Sequence, residues 1–139
     1  MASTTFTGAV TSKNGFIAGH QVTTANAINA TATATAAQVA TGYITSTSAA
    51  ATAITLPTGT LLGAALNAVQ GTTFDLLIDN TAGSNAVSIV AAVNGILSTA
   101  GVDSAASFGD LTVAAGVTGL GRYTIMFSSA TAYVFTRTA

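Results

Sequence analysis

Charge is what this 139-residue sequence has least of. Lys13, Arg122 and Arg137 face only Asp75, Asp79, Asp103 and Asp110; there is no glutamate, and charged residues make up 5% of the chain. An ordinary soluble domain carries about 25%. Three basic residues give no electrostatic footprint for a nucleic acid, so that class of partner is excluded. A net charge of -1 also leaves little repulsion to keep copies apart. The absence of cysteine excludes disulfides, a thiolate nucleophile and Cys-ligated zinc. There is no run of 18 apolar residues, so no membrane span is expected although half of the residues are hydrophobic. The opening residues, MASTTFTGAVTSKNGF, have neither a basic region nor an apolar core, which predicts no secretory signal.

The missing charge is replaced mainly by Ala and Thr, together roughly 40% of the residues. Disordered chains pair high net charge with few apolar groups, and this chain does the reverse. Its Thr, Val and Ile suit strands. Residues 1–35 read as an extended N-terminal arm, with Asn14-Gly15 a turn dipeptide and Thr31 to Ala37 (TATATAA) alternating with period 2. Residues 36–139 read as one β-rich domain. Gly42 to Thr45 is a short strand, and Ala53 to Leu56 is another that stops at Pro57, the only proline. Leu61, Leu62, Ala65, Leu66 and Val69 recur at helical spacing, with Thr60 as cap and an end near Gly71. Phe74, Leu76 and Ile78 then alternate with Asp75, Leu77 and Asp79, the strongest strand signal in the chain.

After a turn cluster at Asn80 to Asn85, the residues Val87, Ile89, Ala91 and Val93 form a partner strand. Leu111 to Val113 is a further short strand, and the stretches Arg122 to Ser128 and Ala132 to Thr138 make a closing hairpin with Tyr123, Ile125, Phe127, Tyr133 and Phe135 on its inner face. The expected architecture is mainly β: an antiparallel sandwich or barrel, jelly-roll-like, with one short helix and the arm. No repeat of solenoid type is visible.

Catalytic chemistry needs titratable groups gathered together, and the stock is small. His20 is the sole histidine, lies in the arm, and has no nucleophile-elbow motif to work with. Asp75 with Asp79, or Asp103 with Asp110, are the only carboxylate pairs; the first share a strand face four residues apart, too far for a tight dyad. A Ca²⁺ site would have to use these aspartates, and no Asp-x-Asp-x-Asp loop is present. Gly119-Leu120-Gly121 reads as a turn or bulge, since neither phosphate-loop pattern occurs. Asn29-Ala30-Thr31 matches a glycosylation triplet, which a Thr/Asn-rich chain produces by chance. Lys13 beside Asn14 lacks the acid that an isopeptide crosslink requires. No catalytic, cofactor or metal residue is therefore expected, and the chain reads as a non-enzyme.

Three stretches resemble the head decoration (cement) proteins of tailed bacteriophages: Ala53–Leu66 (AITLPTGTLLGAAL), Gly71–Val90 (GTTFDLLIDNTAGSNAVSIV) and Gly121–Arg137 (GRYTIMFSSATAYVFTR). The resemblance covers roughly the last ninety residues. It implies a β-rich domain that sits as an oligomer, often a trimer, on the capsid surface, bridging capsomers of the major capsid protein and holding the shell. It implies no cofactor, nucleic acid or membrane. Two alternatives share the low charge: a tail, fibre or host-adhesion module, in which Tyr43, Tyr123 and Tyr133 would meet sugar, and a self-assembling surface-layer or filament subunit.

Overall fold

The computed structural model describes residues 26–97 and 111–138. His20, Lys13, Asn14, Asp103 and Asp110, and with them most of the arm, lie outside the described residues. The chain winds back and forth between two sheets. Strand β1 (Asn26–Ala27) joins a six-stranded sheet and β2 (Ala32–Thr33) a four-stranded one, after which helix α1 (Ala36–Ala40) returns the chain. The pattern recurs: β3 (Tyr43–Thr45), β4 (Thr52–Thr55) and helix α2 (Gly59–Leu66), then β5 (Thr73–Asp79) and β6 (Val87–Val90). Thus β1, β3 and β5 pair in parallel in one sheet, and β2, β4 and β6 pair in parallel in the other.

The architecture is mainly β, as the alternation predicts, with mixed rather than wholly antiparallel pairing. It also corrects the expectation of no solenoid repeat, because three successive coils stack. In the six-stranded sheet Asn26, Ile44 and Ile78 are register partners, and in the four-stranded sheet Ala32, Ile54 and Ile89 are. Ile recurs at both rows in the second and third coils, but the first coil places Asn26 and Ala32 there and the connections differ in length, so the stacking leaves no regular sequence period behind.

The stack is closed at its C-terminal end by antiparallel strands. Strand β8 (Thr112–Val113) lies against β6, and the long hairpin of β9 (Leu120–Ser129) and β10 (Ala132–Arg137) lies against β5, with β7 (Gly95–Leu97) parallel to β10 at the edge. A 3-10 turn, Gly116–Thr118, leads into β9. The core forms between the inner faces. Leu76, Ile78, Tyr123, Ile125, Phe127, Tyr133 and Phe135 come from one sheet, Ile54, Ile89, Val87 and Val113 from the other, and Leu62 from α2. Among the rings, Phe127 and Tyr133 have centroids 5.8 Å apart and are tilted, a favoured aromatic geometry.

Several local readings need correction. The part of the arm that is described is laid into the sheets: Ile28 and Ala34 are buried, and the main-chain N–H groups of both donate to the second coil. The TATATAA stretch is extended only to its middle. Thr35 caps α1 in a reciprocal box, its hydroxyl accepting from Gln38 N while Gln38 Oε1 accepts from Thr35 N at 2.8 Å. Helix α2 is capped by Thr58, not Thr60, and ends at Asn67, whose φ of 49° is the left-handed stop, before Gly71. Only one side of α2 faces inward, so Leu62 is buried while Leu61 is exposed, and Val69, expected on the helix, lies beyond its end and is exposed as well. Val93, expected in the strand with Val87 and Ile89, lies beyond β6, which ends at Val90, and is exposed where the chain turns at Asn94.

Helix α2 touches the β9–β10 turn through glycine. A Cβ on Gly63 would lie 1.9 Å from the Ala130 carbonyl oxygen, and one on Gly59 would lie 2.2 Å from that of Thr131. The two glycines sit one helical turn apart, which presents a bare backbone strip to the turn.

Candidate interaction surfaces

Four charged side chains are described, Asp75, Asp79, Arg122 and Arg137, and three of them point outward from the six-stranded sheet. Asp75 and Asp79 share the outer face of β5, as the alternation predicts, but do not form a pair with each other. Asp75 is held by Arg122 across the β5–β9 ladder and by the Thr124 hydroxyl, which donates at 2.8 Å. Asp79 accepts 2.6 Å bonds from the hydroxyls of Thr81 and Tyr43 and a 3.0 Å bond from Thr81 N. The Thr81 hydroxyl, then Tyr43, then the Thr81 amide hold the Asp79 carboxyl below the usual aspartate range. In turn, the bond to Asp79, burial and the Asp79 charge raise the Tyr43 phenol. Arg137, at the end of β10, crosses to the other sheet and donates to the Thr112 carbonyl at 2.7 Å.

The tyrosines divide accordingly. Tyr123 and Tyr133 are fully buried, with their hydroxyls donating 2.9 Å bonds to the carbonyls of Leu111 and Pro57. This removes both as sugar contacts and makes them core residues with a satisfied polar end. Tyr43 alone is half-buried on the outer face. Burial pushes the Tyr133 phenol up to about 12.

The outer face of the four-stranded sheet is different in kind. One row across the strands is Thr33, Thr55 and Val90, and the next is Ala53, Ser88 and Thr112. All are half-buried or exposed, and among the described residues none on this face is charged. The hydroxyls of Ser88 and Thr112 lie 3.3 Å apart. Beyond the row end the chain carries Val93, 72% exposed, whose carbonyl accepts from Gly59 N in the first turn of α2, and Leu61 follows at 59%.

A turn that the sequence marks only as polar carries the most buried polar group. Asn80 is fully buried, and its side-chain amide donates to the carbonyls of Asn85 at 2.9 Å, Ala114 at 2.9 Å and Val113 at 3.4 Å. Its main-chain N–H donates to Gly119, so one residue ties the β5–β6 turn to the start of β9. The glycosylation-like triplet also joins distant segments. Asn29 Oδ1 accepts from Thr47 N at 2.8 Å, and Thr31 Oγ1 accepts from Ala53 N at 3.2 Å, which fixes the first coil on the second.

Among the described residues, no three of His, Cys, Asp or Glu come together to hold a metal, and no helix is long and apolar enough to cross a membrane. What the described residues offer is surfaces: a mixed outer face with its charges paired, and an uncharged hydroxyl-rich one. The chain matches no family model, no curated protein and no solved structure. The legible signals were the outward aspartates and the inward aromatics. The Gly59/Gly63 strip, the Asn80 network and the outer face of the four-stranded sheet are not visible in the sequence. Each depends on a partner far along the chain, although the Thr35–Gln38 box was a local signal in plain sight.

Proposed function

We propose that this chain is a structural protein of a virus particle, a capsid decoration protein that binds the outer shell as an oligomer and bridges neighbouring capsomers. The observation that carries the reading is the combination of 5% charge with apolar side chains left outside: Leu61, Val69, Val93, Val117 and Leu120 are each more than half exposed. A surface with few charges and several protruding apolar groups is one that association covers. The stretches that resemble cement proteins support it. They contain α2, β5, β6 and nearly all of the closing hairpin. Main-chain pairing at exposed sheet edges would let a neighbour be bound without charged contacts.

The test is binding of the purified full chain to expanded empty capsids of the phage that encodes it, read by co-sedimentation. Saturable binding at hundreds of copies per shell is expected. A stable monomer that leaves expanded shells bare would refute the reading. A fibre or adhesion role, for which Tyr43 on the outer face is the one remaining surface tyrosine, would show instead as a handful of copies per particle.

A further inference from the structure

From the uncharged outer face of the four-stranded sheet we infer a self-association surface: Thr33, Thr55, Val90, Ala53, Ser88 and Thr112, continued by Val93 and Leu61, meet the same face of a second copy. The inference rests on the oligomeric part of the proposed function and assigns it a place. Three observations converge on a second copy as the occupant.

The first is the partition of charge. Asp75, Asp79 and Arg122 all stand on the outer face of the six-stranded sheet, and Arg137 is engaged with Thr112 at the main chain. Covering the four-stranded sheet therefore buries no described charge, whereas covering the other sheet would desolvate three. The second is self-complementarity. Threonine and serine hydroxyls both donate and accept, so a hydroxyl-rich face placed on its own copy leaves no donor facing a donor. A charged partner would gain nothing here, and a purely apolar one would strand the hydroxyls. The third is continuity with exposed apolar groups. Val90 is 41% exposed at the end of the Thr33–Thr55–Val90 row, and Val93 and Leu61 extend the patch over the corner where α2 begins. These side chains give the contact an apolar part that the threonines alone lack.

Size sets the strength. Strands of two, four, four and two residues, about 4.8 Å apart, present roughly 190 Å², well below the ~800 Å² per partner of a standard interface. The apolar corner enlarges this without reaching the range of an obligate dimer. Association through this face is therefore expected to depend on concentration in solution and to be reinforced when copies are held side by side.

Sedimentation velocity of the full chain across a hundredfold concentration range tests the inference, with Val90→Lys and Thr33→Glu on the face and Met126→Lys on the outer face of the six-stranded sheet. Thr33, Val90 and Met126 are all exposed, and unchanged thermal melting at low concentration confirms that each variant folds. The expected result is that wild type self-associates, that the two face variants raise the half-association concentration at least tenfold, and that Met126→Lys does not. Self-association untouched by both face variants, or weakened equally by Met126→Lys, would overturn the assigned face while leaving an oligomer in place. A wild-type monomer at every concentration would overturn the inference outright, and shell binding would then decide the decoration reading separately.

Discussion

Replacing Gly63 by alanine should loosen the domain, and the geometry says by how much. Inside a free helix the change would be favourable by about 1 kcal/mol, because alanine restricts the unfolded chain and glycine does not. Here the new Cβ would sit 1.9 Å from the Ala130 carbonyl oxygen, where ordinary contact begins at 3.4 Å, and 3.3 Å from the Phe127 ring. The obstacle at the short distance is backbone, which cannot rotate away. Helix and turn must part by about 1.5 Å, and a gap of even 0.5–1 Å forfeits a quarter to a half of each van der Waals contact. Overpacking of this kind costs about 1–3 kcal/mol and occasionally more. A backbone obstacle at 1.9 Å places the cost at the upper end, about 3 kcal/mol, and with the helix preference offsetting about 1 kcal/mol the net loss is roughly 2 kcal/mol. For a domain of this size that lowers Tm by about 8 °C. Ala64→Gly is the matched control: Ala64 is the next residue, exposed on the same helix, and its replacement should lose about 1 kcal/mol through propensity alone. Thermal unfolding followed by circular dichroism reads both. If Gly63→Ala melts at or above the wild-type temperature, α2 is not pressed on the hairpin turn and the packing argument fails.

Other expectations follow from the polar groups and the arm. Asn80→Ala would leave the carbonyls of Asn85, Val113 and Ala114 without their donor, a loss of about 1–3 kcal/mol by urea titration; a change below about 0.5 kcal/mol would mean that water replaces the amide. Tyr133 has a folded pKa of about 12 against 10.0 in the unfolded chain, so its stabilising share is complete below pH 10 and is lost as pH rises towards 12. That steep alkaline decline should flatten in Tyr133→Phe, at the expense of the bond to the Pro57 carbonyl, and equal slopes in the two proteins would remove the cause assigned to it. Asp79, with its pKa lowered, contributes stability above the ordinary aspartate value that disappears as pH falls through the folded one. Tyr43→Phe removes one of its donors, and carboxyl NMR should then show Asp79 titrating at higher pH than in wild type. Deleting residues 2–20 removes nothing from the described strands, and is expected to leave melting intact while impairing assembly; global unfolding would place that segment in the core.

How much of this was legible depends on how local each interaction is. The alternation of Phe74, Leu76 and Ile78 with Asp75, Leu77 and Asp79 reports directly on a strand with one buried face, and the hairpin aromatics do the same. Winding direction is different. Parallel pairing joins Asn26 to Ile44 and Ile44 to Ile78 through backbone groups that every residue carries, so side-chain identity does not announce it. Helix α1 was hidden because interleaved threonines favour a strand until a cap overrides them, and Thr35 with Gln38 does so. On the surface, the outward direction of Asp75 and Asp79 could be read, but Arg122 and Tyr43 as their partners could not. The uncharged outer face was half visible in Thr31-Ala32-Thr33; its remaining rows come from β4, β6 and β8, and only the fold aligns them.

The closing hairpin also dictates when the protein can become itself. Strand β5, in the middle of the six-stranded sheet, receives its second neighbour only from β9, and α2 rests on a turn at residues 130–131 near the end of the chain. During synthesis the stacked coils emerge first, with one flank of β5 and one side of α2 still bare. An unpaired strand and exposed core leucines are the features that invite premature association. A chain released before Leu120 would hold the stacked coils with β5 open on one side, so β9 and β10 act as a checkpoint on folding.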